Sequence, residues 1–277
     1  MVPLCSLCFE NLSLPDGSAV KLPDGQHCSF CFGLLDDLSV CEDIIEKAAE
    51  QLKLNRYDGT TFLLALNTPI TMHLREAVID KLLGNAFVPM SMSPKGQFST
   101  YLMTKLGQAT GLRPTLNSDL VLTVTISNDE FMDSDMAYFR SNFSNALNSG
   151  RRGDLMDEDA ARRYKMDCPI KKCKITVRLE RDATFVGGRY CKYSRSLPQS
   201  PWSPDMEADK IINNSVSEKI GLIMMKTFRA DGYRFIASGR EDIDVRMLGI
   251  GRPFAIQLIN ARSVVPLNTS AAEEISK

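Results

Sequence analysis

Histidine is scarce in this chain of 277 residues, which has only His27 and His73. His27 stands beside Cys28 and reads as a bystander, and His73 reads as a helix-surface residue, so neither is expected to act as acid, base or ligand. No apolar run approaches the roughly 20 residues of a membrane span, and no membrane partner is expected. The opening MVPLCSLCFE has neither a basic nor an apolar stretch, so no secretory signal is expected. Location in the nucleus, the cytoplasm or both follows. Internal repeats and low-complexity runs are also missing. The net charge of −1 excludes a generally cationic surface.

Cysteine, by contrast, is plentiful at eight residues. In an unsecreted chain this argues for thiols or metal rather than disulfides. Cys5-x2-Cys8 and Cys28-x2-Cys31 form two knuckles at the separation of a zinc ribbon, each able to give two thiolates to one tetrahedral ion. Pro15-Asp16-Gly17 and Pro23-Asp24-Gly25 read as turns between them. A four-thiolate zinc has no open position, so the zinc expected here is structural and no catalytic cofactor is implied. Cys168, Cys173 and Cys191 have no such partner pair and read as free thiols.

Beyond residue 36 the pattern alternates. CEDIIEKAAEQL carries a helical stripe, with Ser39 and Glu42 as a capping box. TTFLLALNTP reads as a strand, HLREAVIDKLLG and QFSTYLMTKLGQATG as helices, and SDLVLTVTISND as the clearest strand. Residues 37–143 therefore form an α+β domain after a ribbon at 1–36. The polar, glycine-containing stretch 144–163 reads as a linker or loop, and residues 164–277 form a further unit. There CKITVRLE and GYRFIASGRED read as strands, and SVSEKIGLIMMKTFRAD as an amphipathic helix of about four turns. Charge is uneven: residues 1–50 hold two lysines against nine acids (−7), and residues 161–195 hold eleven Lys and Arg against three acids (+8). The basic stretch points to phosphate binding. Within YCKYSRSLPQSPW, Tyr190, Lys192, Tyr193, Arg195 and Trp202 interleave cations with aromatics, which suits an RNA backbone with a splayed base and equally suits a basic loop with its aromatics packed inward.

SGREDIDVRMLGIGRPF, residues 238–254, holds three acids and three arginines among three glycines and a proline. Gly249, Gly251 and Pro253 rule out a helix throughout. The pattern predicts an extended piece from Glu241 to Met247, a glycine turn, and a second strand from Pro253 to Ile259. Alternation would then place Arg240, Asp242, Asp244 and Arg246 on one face. That row is either a surface ladder of ion pairs or an aspartate held between arginines in a cleft for an anionic substrate.

GRYCKYSRSLPQSPW followed by SGREDIDVRMLGIGRPFAIQL resembles the archaeal and eukaryotic tRNA pseudouridine synthases that act on the T-arm loop. The resemblance runs nearly continuously from residue 185 to 260, and the four-cysteine start fits the same family. It implies a THUMP-containing domain at 37–143, and at 164–277 the first half of a mixed-sheet catalytic domain. It also implies the isomerisation of uridine 54 or 55 by base flipping. Asp242 matches the catalytic aspartate and Arg240 an arginine that holds the flipped nucleotide. Asp244, Arg246 and Arg252 belong to the signature and would structure the loop. Lys192, Tyr193 and Arg195 would meet RNA. Family members continue past the equivalent of Lys277, so the chain is expected to be truncated, without the strands, stacking aromatic and basic partner of the second half. The alternatives are a non-catalytic RNA-binding module and a two-metal site on Asp242 and Asp244.

Overall fold

The computed structural model describes residues 2–12, 19–36, 39–82, 93–142, 158–201 and 215–264. The chain divides into two compact units: Met1–Gln51 with Thr61–Ser118 and Leu122–Leu179, and Leu52–Thr60 with Asp119–Val121 and Glu180–Lys277. Secondary structure is mixed α and β, in keeping with the α+β expectation.

In the first unit, β1 (Val2–Pro3) pairs with β2 (Ala19–Val20), and the short helix α1 (Ser6–Asn11) follows the first knuckle. The expected elements then appear in order: α2 (Ser39–Asn55), β3 (Thr61–Asn67), α3 (Ile70–Leu82), α4 (Pro94–Thr110) and β5 (Leu120–Ser127), with a short unexpected β4 (Arg113–Pro114) before the last. α4 starts where the Ser93 hydroxyl accepts the Gly96 N–H at 3.1 Å and stops at Gly111, whose φ of 72° closes the last turn. The turn at Pro23-Asp24-Gly25 forms, with Gln26 N–H donating to Pro23 O at 3.1 Å; Pro15-Asp16-Gly17 lies outside the described residues. α5 (Met132–Asn142) and β6 (Lys174–Arg181) complete this part, and the sheet order is β4-β3-β5-β6. The linker expected at 144–163 is helical at its end: α6 (Glu158–Arg163) buries Ala160 and Ala161, and Tyr138 donates to Ala160 O at 2.7 Å. The rest of that stretch lies outside the described residues.

The second unit is built on β7 (Thr184–Lys192), β8 (Gly232–Ala237) and β9 (Met247–Ile259), in the order β7-β9-β8 and antiparallel throughout. The helix α7 (Val216–Thr227) is three turns long and starts at Ser215, which accepts the Glu218 N–H. Met224 and Phe228 pack against Ile256 and Leu258, alternate residues on one face of β9. The expected strand Pro253–Ile259 is therefore central and paired on both sides; the outer edges of β7 and β8 have no partner strand among the described residues.

Two expectations for residues 241–253 are corrected. Residues 241–246 are not extended: Val245 N–H donates to Asp242 O at 3.1 Å and closes a turn with Ile243 and Asp244 at its tip. The carbonyls that a strand would offer to a neighbour are taken by side chains instead. The second correction concerns Gly249 and Gly251, which do not separate two strands. They lie in a bulge of β9, where the register passes from Tyr190↔Arg252 to Lys192↔Met247, so residues 248–251 oppose Cys191 alone. Arg189 pins the bulge from β7, donating to Ile250 O at 2.8 Å and Gly251 O at 3.1 Å. Gly251 has a φ of 74°, and a Cβ there would lie 2.7 Å from Tyr190 O, so no other residue fits.

Candidate active-site loop and candidate metal centre

The loop between β8 and β9 is held almost entirely by its carbonyl oxygens. Arg252 Nη1 donates to Ser238 O at 2.7 Å, and Gln199 Nε2 to Gly239 O at 2.9 Å. Lys192 Nζ donates to Asp242 O at 2.8 Å, Ile243 O at 3.1 Å and Leu197 O at 3.0 Å. At the far end Arg195 Nη1 reaches Asp244 O at 3.4 Å, a long contact. Gly239 is required here: its φ is 91°, and a Cβ would come within 2.5 Å of Arg252 Nη1.

Beneath the loop sits a buried polar knot. Glu241, whose side chain is 1% exposed, takes the Tyr190 hydroxyl at 2.9 Å on each carboxylate oxygen and Gln199 Nε2 at 3.3 Å. Arg252 Nε lies 2.8 Å from Glu241 Oε2, with its N–H not aligned to the oxygen, so this contact is ionic first. Gln199 Nε2 also donates to the Tyr190 hydroxyl at 2.8 Å. Burial above all raises the Tyr190 phenol above its ordinary range; the Gln199 bond opposes it, and Glu241 adds to the rise. The Tyr190 ring is fixed by Phe235 and Phe254, which stack at 5.3 Å and lie 6.1 and 6.2 Å from it.

The site residues read from the sequence divide into two sets. Asp242, Asp244, Arg240, Arg246, Arg195 and Tyr193 are exposed. Among the described residues the Asp242 and Asp244 carboxylates have no ion-pair partner, so the arginines do not clasp them. Arg252 and Lys192 turn inward. Lys192 is 2% exposed, and its three donors are all engaged. This corrects the expectation that Lys192 meets RNA phosphate: burial at the end of β7 points its ammonium into the loop. Trp202 lies outside the described residues. Sequence reasoning missed Glu241, Gln199 and Arg189, since no spacing rule separates Glu241 from the acid beside it. The two-metal alternative gains nothing, because Asp242 and Asp244 do not gather with a third metal-binding side chain among the described residues.

In the first unit the four cysteines of the knuckles are all buried, and their sulfurs lie within 4.8 Å of one another. Cys5 and Cys31 Sγ are 3.9 Å apart. Four thiolates at about 2.3 Å from a tetrahedral ion stand roughly 3.8 Å from each other, so the cluster fits a metal ion. His27 is not part of the cluster; its ring packs against Gly33, with Nδ1 3.0 Å from where a Cβ would be. Arg75, fully buried, braces the second knuckle: Nη1 donates to Ser29 O at 2.8 Å and Asp167 O at 2.7 Å, Nε pairs with Asp135 at 3.1 Å, and Phe32 and Phe131 stack at 4.9 and 4.5 Å.

A loop of this kind, with one carboxylate locked inward and its neighbour presented outward, lies inside a segment that comparison assigns. Residues 185–277 match the family described as Pus10, C-terminal. The proteins that the whole chain resembles carry the name of tRNA pseudouridine synthases. Human tRNA pseudouridine synthase Pus10 is 27% identical over 269 residues, covering 86% of this chain and 49% of that protein. The Xenopus laevis protein of the same name is 29% identical over 268 residues, 86% of this chain and 50% of its own length. The Thermofilum pendens protein is 49% identical over 78 residues, 28% of this chain and 17% of its own length. The chain spans about half the length of the first two of these relatives.

Proposed function

We propose that this protein isomerises a uridine of tRNA to pseudouridine, at position 54 or 55 of the T-arm, with Asp242 as nucleophile or general base. The observation that carries this reading is the loop itself. Ser238, Gly239, Asp242 and Ile243 are gripped through their carbonyls, so the backbone bearing Asp242 is fixed while its carboxylate has no ion-pair partner among the described residues. An ionised carboxylate in a defined position is what attack at the ribose or the base requires. The uridine must leave its stack to reach it. Exposed Arg240, Arg195 and Tyr193 then serve RNA phosphate and a splayed base, in a domain preceded by a THUMP-type RNA-binding domain. The four-cysteine centre holds zinc, the ion that all-thiolate tetrahedral sites favour, and its role is structural.

Chemical mapping of pseudouridine on T-arm transcripts tests this. The protein should convert the target uridine, and Asp242→Asn should abolish conversion while RNA affinity stays within about twofold, because Asn keeps the shape and loses the charge. Conversion by Asp242→Asn at the unaltered rate would remove Asp242 from the chemistry. Binding without any conversion by the unaltered protein would leave an RNA-binding module in place of an enzyme.

A further inference from the structure

Glu241 and Asp242 are adjacent acids with opposite environments. Glu241 is buried against three polar partners, and Asp242 faces solvent. Left to themselves, two neighbouring carboxylates on a loop repel and share the same water. Here one of them is drawn in by groups that are themselves immobile. The Tyr190 ring is wedged against Phe235 and Phe254. The Gln199 carbonyl accepts the Ser217 N–H at 2.9 Å, which ties that residue to the first turn of α7. Arg252 is fastened to Ser238 O. Along a non-helical chain, neighbouring side chains diverge, so a Glu241 anchored inward turns Asp242 outward. Lys192 then fixes the carbonyls of Asp242 and Ile243 from below.

We propose that Glu241 is the positioning residue of this site: its buried carboxylate, held by Tyr190, Gln199 and Arg252, sets the direction in which Asp242 presents its own. The proposal rests on reading Asp242 as the reacting group. It gives the two acids different tasks. Glu241 never touches the uridine and acts only through the peptide it shares with Asp242.

Glu241→Gln is the test. The amide keeps the length of the side chain, removes the charge facing Arg252, and sets an NH2 against donors from Tyr190 and Gln199. Conversion of the T-arm uridine should fall roughly 100-fold in kcat, while RNA affinity and metal content hold. Hydrogen exchange should quicken at the amides of residues 240–246, above all at Val245, and stay unchanged in α7. An unaltered kcat overturns the proposal, and so does a kcat that falls only in step with RNA affinity, which is what a general loss of fold would give. If the unaltered protein converts no uridine, the proposed activity fails by itself. The exchange measurement still decides the latch: acceleration confined to the loop supports it, and none refutes it.

Discussion

Replacing Lys192 with methionine separates the role read from the sequence from the one the fold assigns. Methionine has nearly the length of lysine, so little cavity is left; what is lost is three hydrogen bonds from the ammonium. Asp242 O keeps a partner in the Val245 N–H, while Leu197 O and Ile243 O lose the one described here. Two part-buried acceptors, at the low end of about 1–3 kcal/mol each, give roughly 2 kcal/mol. Relief from burying an ammonium among neutral carbonyls offsets part of this, leaving on the order of 1 kcal/mol. In a protein of this size that lowers Tm by roughly 2–4 °C. A lysine bound to phosphate behaves otherwise: its removal leaves stability alone and flattens the salt dependence of RNA binding by about 0.7–0.9 in log–log slope. Thermal unfolding and salt titration of binding to a T-arm transcript should show Lys192→Met losing stability with its salt slope intact, and Arg195→Ala doing the reverse. A flattened slope at full stability in Lys192→Met would refute the inward ammonium.

Two further outcomes follow from groups elsewhere. Cys28→Ser should abolish stoichiometric zinc, read by metal analysis of the purified protein, because a tetrahedral centre with three thiolates loses most of its affinity; undiminished zinc would contradict the cluster. At Asp58, burial opposes the charge, but Arg181 at 2.7 Å, the Val264 N–H and Ser263 more than offset it, so the folded pKa lies below the ordinary value. A depressed carboxyl pKa stabilises fully above the unfolded value near 4 and ceases to as pH falls through the folded one. The stability gap between the protein and Asp58→Asn should therefore be constant from about pH 7 to 5 and narrow below about pH 4; a gap that widens in acid would contradict this sign.

What the sequence made legible was periodicity and spacing. The knuckles at Cys5, Cys8, Cys28 and Cys31 come together as their intervals demand, because a thiolate pair two residues apart has few geometries available. The stripes of α2 and α4 and the alternation of β5 appear where expected. The segment 238–254 was misread because alternation assumes a ladder, and a ladder needs free carbonyls. Lys192, Gln199 and Arg252 occupy those carbonyls, and the first two reach the loop from 50 and 40 residues away in the chain. No local pattern records such a capture. β7 went unrecognised for a related reason: Gly187 and Gly188 lower its strand propensity, and it is fixed by pairing with β9, from Thr184↔Leu258 to Lys192↔Met247, far along the chain.

The charge balance of SGREDIDVRMLGIGRPF finds its explanation in depth rather than in pairs along a face. Arg252 and Glu241 neutralise one another below the surface, where an isolated charge of either sign would be costly. Arg240, Asp242, Asp244 and Arg246 stay in water, where a mutual salt bridge would add little. On the proposed reading of Asp242 as the reacting group, pairing with Arg240 or Arg246 would have to be broken before reaction. An outward Asp242 with its backbone clamped and no ion-pair partner among the described residues avoids that. The inward pair therefore supplies rigidity without consuming the outward acid, and exchanging the order of the two acids should fail even though composition and net charge are unchanged. A protein with Glu241→Asp and Asp242→Glu keeps every charge, yet the shorter inner acid falls short of the Tyr190 hydroxyl and Arg252. Conversion should be lost while RNA affinity stays; conversion at the unaltered rate would show that only the charges, and not their depth, matter.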